Sequence, residues 1–258
     1  MKRPRLIAYG LLTYLLFNAS FIYLIGFLQS FGVPKAINDG NHVSPTFALS
    51  ITVSLVFLFG FFHSLMARDW FKRRWTKLIG QEAERSTYVL QSALFLLLAM
   101  WQWQPMPAVI WHLTGAAAVA VIALFAVGVA TLLTATFLID HFELFGLKQV
   151  WYASRKRSLP SSEFKTPVLY RWVRHPMQLG VIITVFAVPH MTLGHLCFAL
   201  CMTLYVLIGL HFEERALVRE FGDRYREYQQ RVPMLIPGIR LVTRRSASLP
   251  TRVSGGAR

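Results

Sequence analysis

Charge is what this chain has least of. Only 15% of its 258 residues are Asp, Glu, Lys or Arg, against 55% hydrophobic, where a soluble domain carries about 25% charge. Acidic residues are scarcer than basic ones, 12 against 27. Cysteine is nearly absent. Cys197 and Cys201 lie one helical turn apart in an apolar run and read as small core residues. No Cys-x-x-Cys or Cys/His metal spacing occurs. Gly-x-Gly-x-x-Gly, the P-loop and His-Glu-x-x-His are missing too, which excludes Rossmann-type nucleotide binding and the common zinc proteases. No charged residue falls between Met177 and Phe212. Charges near the bilayer midplane cost about 2.5–3.5 kcal/mol and mark ion paths, so their absence argues against a charge-relay transporter.

The apolar residues come in long blocks. They predict an all-α, polytopic membrane bundle of about six spans: Leu6 to Leu28, Thr46 to Met66, Ser86 to Trp103, Trp111 to Ile139, Met177 to Val188 and Leu193 to Phe212. The first is too long for a signal-peptide core and reads as retained. The third closes with Trp101 and Trp103 as interfacial residues. Gly115, Ala116, Ala117, Ala118, Ala120 and Gly128 offer the fourth span a small-residue packing face. Alternate loops hold 26 of the 27 Lys and Arg residues, Lys35 being the exception. Both termini are therefore expected in the cytoplasm. The same placement accounts for the +15 charge without nucleic acid. No signal for an obligate protein partner is present. Residues 1–237 read as one membrane domain, and 238–258 as a basic, disordered tail.

The last two spans are joined at Pro189-His190-Met191-Thr192, which is turn chemistry. Tyr170-Arg171-Trp172-Val173-Arg174-His175-Pro176 enters this hairpin and Glu213-Glu214 leaves it. Folding it back sets Arg174 and His175 beside both carboxylates at one membrane face. Glu214 is expected to accept a hydrogen bond from a bound ligand, since carboxylates suit a cationic amine or a ribose. The rival reading is an Arg174–Glu213 bridge with no ligand. Tyr170, Tyr225 and Tyr228 could offer ring faces to an adenine or a sulfonium. Beyond Glu214, Leu217, Phe221, Tyr225, Tyr228 and Val232 form a helical stripe, read as one interfacial amphipathic helix.

The ordered set Tyr170, Arg174-His175-Pro176, Gly180, Glu213-Glu214, Leu217, Phe221-Gly222, Tyr225, Tyr228 and Val232-Pro233 resembles the isoprenylcysteine carboxyl methyltransferase superfamily. Upstream, His63-Ser64-Leu65-Met66-Ala67-Arg68, Glu84 to Leu90 and Thr136 to Trp151 are similar to its bacterial methanethiol S-methyltransferases. The resemblance implies an integral enzyme of a bacterial inner membrane that uses S-adenosylmethionine to methylate a small thiol, giving dimethyl sulfide from methanethiol. It implies cofactor binding within about 164–237, by Tyr170, Arg174, His175, Pro176, Gly180, Glu213, Glu214, Tyr225 and Tyr228, and no metal. Two departures stand out. Gln178 replaces an aromatic common in the superfamily. The run Tyr205 to Phe212 lacks the Arg that would hold a substrate carboxylate, which a neutral thiol does not need. A lipid-like or protein cysteine substrate, and a non-enzymatic subunit or transporter, remain open alternatives.

Methyl transfer from a sulfonium is a displacement whose nucleophile must become a thiolate. A thiol of pKa about 8.5 is only a few per cent ionised at pH 7, so a base would help. His211, His141 and His63 are the candidates, with Asp140 as an orienting carboxylate.

Overall fold

The computed structural model describes residues 3–41, 43–160 and 164–238. The expected tail at 238–258 lies outside them except for Gly238. The chain folds as α1 (Arg3–Gln29), α2 (Pro45–Met66), α3 (Asp69–Ile79), α4 (Gln81–Gln102), β1 (Val109–His112), α5 (Gly115–Ile139), α6 (His141–Leu144), α7 (Leu147–Ser154), α8 (Pro176–Phe186), β2 (His190–Thr192), α9 (Leu193–Phe221) and α10 (Asp223–Arg231). A 3-10 turn, Val168–Arg171, precedes α8.

It is an all-α membrane bundle. The helices α1, α2, α5 and α9 are long and apolar enough to cross a bilayer. Their outer faces expose Leu12, Ile22, Phe57, Val119, Val127 and Leu204, side chains that water would not tolerate in such number. The other two expected spans fall on shorter apolar stretches. Glu82 and Glu84 occupy the first turn of α4 and Arg85 follows them, and α8 has 11 residues.

Helix α8 lies tightly along α5. A Cβ on Gly180 would sit 2.7 Å from Gly128 O, and one on Gly128 2.7 Å from Thr184 Oγ1. Of the expected small-residue face, Gly128 makes this contact, while Gly115, Ala116, Ala117 and Ala120 are exposed. The turn after α8 is pinned by β2, which pairs antiparallel with β1 at Val109↔Thr192 and His112↔His190. The fourth span therefore starts at Gly115 rather than Trp111. Trp103 is a core residue, not an interfacial one: it is 2% exposed and donates to Ile37 O. Trp101 is exposed. Lys35, the one cation on its side of the charge pattern, donates to Trp101 O (2.6 Å) and Trp103 O (2.8 Å). It stands where the C-terminal dipole of α4 favours a positive charge.

Two surface helices differ from expectation. The basic stretch after α2 is an amphipathic helix, α3, bearing Trp70, Phe71 and Trp75 beside its cations. The stripe from Leu217 to Val232 is two helices. Gly222, at φ +58°, breaks it, so that α10 folds back and buries Tyr225 and Tyr228 against Phe164, Leu217 and Phe221.

Candidate functional site

Pro176 starts α8 at a position where its missing N–H costs nothing, and it fixes Arg174 and His175 just outside the helix. Their backbone N–H groups donate to Pro233 O (2.9 Å) and Met234 O (3.1 Å). The segment after α10 thereby straps over the entry to the hairpin. The hairpin returns through α9, and both clusters meet as the spacing predicts.

An ion pair forms, but not with the glutamate of the rival reading. Arg174 binds Glu214, not Glu213, with two parallel bonds: Nε to Oε1 and Nη2 to Oε2, both 2.9 Å. His175 Nε2 lies 2.6 Å from Oε1. Tyr225 Oη donates to Oε1 at 2.7 Å, and Gln229 Nε2 donates to Oε2. A carboxylate offers about four lone-pair sites, and five donors crowd these two oxygens. Glu214 has nothing left for a ligand. The side chains of Arg174, His175 and Glu214 are 10%, 3% and 12% exposed. Arg174 Nη1 adds bonds to Gln229 O and Val232 O. This group is a rigid clamp between α8, α9 and α10.

Glu213 is the freer carboxylate. Its side chain is 46% exposed. It accepts from Gln178 Nε2 at 3.2 Å, and His175 Nδ1 stands 3.9 Å away. Gln178, the departure from the superfamily pattern, thus reaches toward the one acidic acceptor with room to spare.

The three tyrosines are buried. Tyr228 Oη donates to Tyr170 O, and Tyr170 Oη to Ala135 O at 3.4 Å. Burial pushes all three hydroxyls above the ordinary tyrosine range, with Glu214 adding to the effect on Tyr225. They stay protonated and act as internal donors. Gly180 faces α5 and lies outside the cluster.

The three base candidates and the orienting carboxylate Asp140 are not gathered in one place. His211 is exposed, against Phe212. His141 is buried: Nε2 is 2.9 Å from Tyr14 Oη, Nδ1 is 2.8 Å from Thr136 Oγ1, and the ring stacks on Phe137 at 4.1 Å. Asp140 caps α6 through Glu143 N–H (2.9 Å) and pairs with Lys148 at 2.5 Å, so it orients no imidazole. Burial pushes the Asp140 carboxyl up, but Lys148 and the Glu143 N–H outweigh it and hold the group below the usual carboxylate range. A cavity of about 500 Å³ opens beside this pair, walled by Ile7, Leu11, Phe142 and Trp151; its lining includes none of the Arg174–Glu214 clamp. His63 bonds to Tyr88 of α4 at 2.5 Å and to Ser92 at 2.9 Å.

The family model described as NnrU protein matches residues 51–243, a stretch that contains the clamp and the His63–Tyr88 contact alike. The chain belongs to the NnrU family. Among its relatives, methanethiol S-methyltransferase 2 of Bradyrhizobium diazoefficiens is 44% identical over 243 residues, covering 94% of this chain and 93% of that protein. Methanethiol S-methyltransferase of Mycobacterium tuberculosis is 47% identical over 240 residues, 92% of this chain and 98% of that one. The protein of the same name from Pseudomonas deceptionensis is 46% identical over 233 residues, 90% and 89%. Their name implies a methyl donor. No solved structure matches the chain.

Sequence reasoning missed the contacts of Gln229, Tyr88 and Ser92, and marked Gln178 only as a departure from the superfamily pattern. Gln229 was legible as the polar neighbour of Tyr228 on α10. Tyr88 and Ser92 stand four apart on α4 and so share a face, a weak sign among the neighbouring polar Ser86, Thr87 and Gln91.

Proposed function

We propose that this protein transfers the methyl group of S-adenosylmethionine to a small thiol, methanethiol, giving dimethyl sulfide. The observation that carries the reading is identity of 44–47% to methanethiol S-methyltransferases over more than nine-tenths of this chain. The site geometry fits the cofactor. Glu213 presents a half-exposed carboxylate with spare lone pairs, suited to an ammonium or a ribose diol. When bound, the cofactor supplies an electrophilic methyl on a sulfonium. The chain's own residues do the rest. Glu213 and Gln178 hold the polar end, and the Arg174–His175–Glu214–Tyr225 clamp fixes Glu213 in place. The apolar bundle gathers an apolar thiol and excludes water. Alignment of two reactants can supply much of the barrier reduction.

The fold unit is residues 1–237, with cofactor binding in 164–237. The protein crosses the inner membrane six times, α4 and α8 completing the set, with both termini and the clamp on the cytoplasmic side. Reporter fusions after Arg68, Ser158 and Arg240 should read as cytoplasmic, and those after Asp39 and Pro107 as external. A cytoplasmic reading at Asp39 would invert the scheme. For the activity, cells expressing the chain and fed methanethiol should release dimethyl sulfide into the headspace. Release no greater than from cells carrying an empty vector would refute it.

A further inference from the structure

On α9, Tyr205, Gly209 and Glu213 stand four apart and share one face. At one end Tyr205 rests on Gly60 of α2, where an added Cβ would come within 2.7 Å of its ring. The Tyr205 ring centroid is 6.3 Å from that of His63. At the other end stands Glu213, the carboxylate that accepts from Gln178. Between them, a Cβ added to Gly209 would meet nothing within 4 Å. The face therefore carries a notch about one helical turn long, roughly 5 Å, which suits a thiol with one or two carbons.

The hydrogen bonds around His63 fix its tautomer. Ser92 Oγ gives its single proton to Tyr88 O at 2.8 Å. Toward His63 Nδ1, 2.9 Å away, it can only accept. Nδ1 therefore carries the proton, and Nε2 is the bare acceptor facing Tyr88 Oη. Tyr88 spends its own proton inward and keeps oxygen lone pairs for a donor on its other side. The Arg85 guanidinium lies 4.9 Å over the Tyr88 ring.

We propose that Tyr88 and His63 form the proton-accepting pair for the substrate thiol, which sits in the notch over Gly209. This rests on the methyl-transfer reading above. The thiol S–H proton passes to Tyr88 Oη as the Tyr88 proton passes to His63 Nε2. The freed sulfur pair forms the new S–CH3 bond, and the pair of the old methyl–sulfur bond stays on the donor sulfur. The positive charge lost from the sulfonium is matched by the one gained at His63, so the site keeps its net charge. Tyr88 touches the substrate; His63 acts through it.

The molecule holds its own control. Thr136 Oγ1 donates to Leu133 O, so His141 Nδ1 must donate to Thr136, and Nε2 accepts from Tyr14. That is the same arrangement, packed between Phe137 and Phe145 away from α9. A structural clip and a proton pair therefore look alike in geometry and must be separated by chemistry.

The experiment compares kcat/KM for methanethiol and for 2,2,2-trifluoroethanethiol, a two-carbon thiol acidic enough to be substantially ionised near neutral pH. Tyr88→Phe and His63→Gln should lose about 100- to 10,000-fold with methanethiol and less than ~10-fold with the fluorinated thiol. Tyr14→Phe should treat both thiols alike. Gly209→Leu, which meets no obstacle at its Cβ, should raise KM for both thiols. The second readout needs no turnover: the infrared S–H stretch of bound methanethiol should shift in the wild type and not in Tyr88→Phe. Equal losses with both thiols in Tyr88→Phe, with the melting temperature unchanged, would overturn the pair. An unchanged KM in Gly209→Leu would overturn the notch. A wild type that methylates neither thiol would sink the methyl-transfer reading instead, and the infrared band would then decide alone whether Tyr88 meets the thiol.

Discussion

Glu214→Ala should cost the protein its fold at the hairpin mouth. The carboxylate holds Arg174, His175, Tyr225 and Gln229 at once. Removing it leaves a guanidinium 10% exposed with no counter-charge, and an imidazole 3% exposed with only Glu213, 3.9 Å from Nδ1, beside it. Breaking a buried ion pair from one side costs about 3–5 kcal/mol, out of a total stability of about 5–15 kcal/mol. The strap from Val232 to Met234 would loosen with it, since Arg174 Nη1 and the N–H groups of Arg174 and His175 bind that segment. The expected result is a large fall in melting temperature and in monodisperse yield from detergent. Arg174→Met with Glu214→Leu should recover much of it, because replacing both partners by apolar groups is often neutral. A wild-type melting curve for Glu214→Ala would show that the clamp holds nothing.

Glu213→Ala, one residue away, should do the opposite. It loses one hydrogen bond from Gln178 and a distant contact with His175, so the melting curve should stay close to wild type. Affinity for S-adenosylmethionine should fall. A hydrogen bond to a charged acceptor is worth about 1.5–3 kcal/mol, or roughly 10- to 100-fold in Kd. Calorimetry on purified protein reads it directly. Glu213→Gln should recover only part, keeping an acceptor oxygen without the charge. Wild-type affinity in Glu213→Ala would move the cofactor away from this carboxylate.

The contrast between these neighbours marks where sequence reasoning ends. That Arg174 and His175 meet an acidic pair was legible, because an uncharged run broken once at Pro189 leaves a hairpin little choice. Which glutamate they take was not. Adjacent residues differ by about 100° around a helix. Glu214 is chosen by Tyr225 and Gln229, which reach it only because Gly222 breaks the stripe and turns α10 back. The small-residue run on α5 misled for a related reason: an apolar helix in lipid needs no polar outer face, so alanines there carry no sign of which side is packed. Gly128 and Gly180 are paired by tertiary approach alone. The four-residue β1 is too short to announce itself, and its partner β2 is distant in the chain, His112 pairing with His190 78 residues on. His63 and Tyr88 come from different helices, joined by a contact that neither helix's own periodicity records. The membrane class, by contrast, was written in the scarcity of charge and in its one-sided placement.

The most direct test of the account uses purified protein in lipid vesicles, S-adenosylmethionine labelled on its methyl group, and methanethiol. The account predicts labelled dimethyl sulfide in the headspace, one for each S-adenosylhomocysteine formed, at a rate that falls in Glu213→Ala while the protein stays folded. Protein that binds S-adenosylmethionine yet passes no label to the volatile product would contradict it.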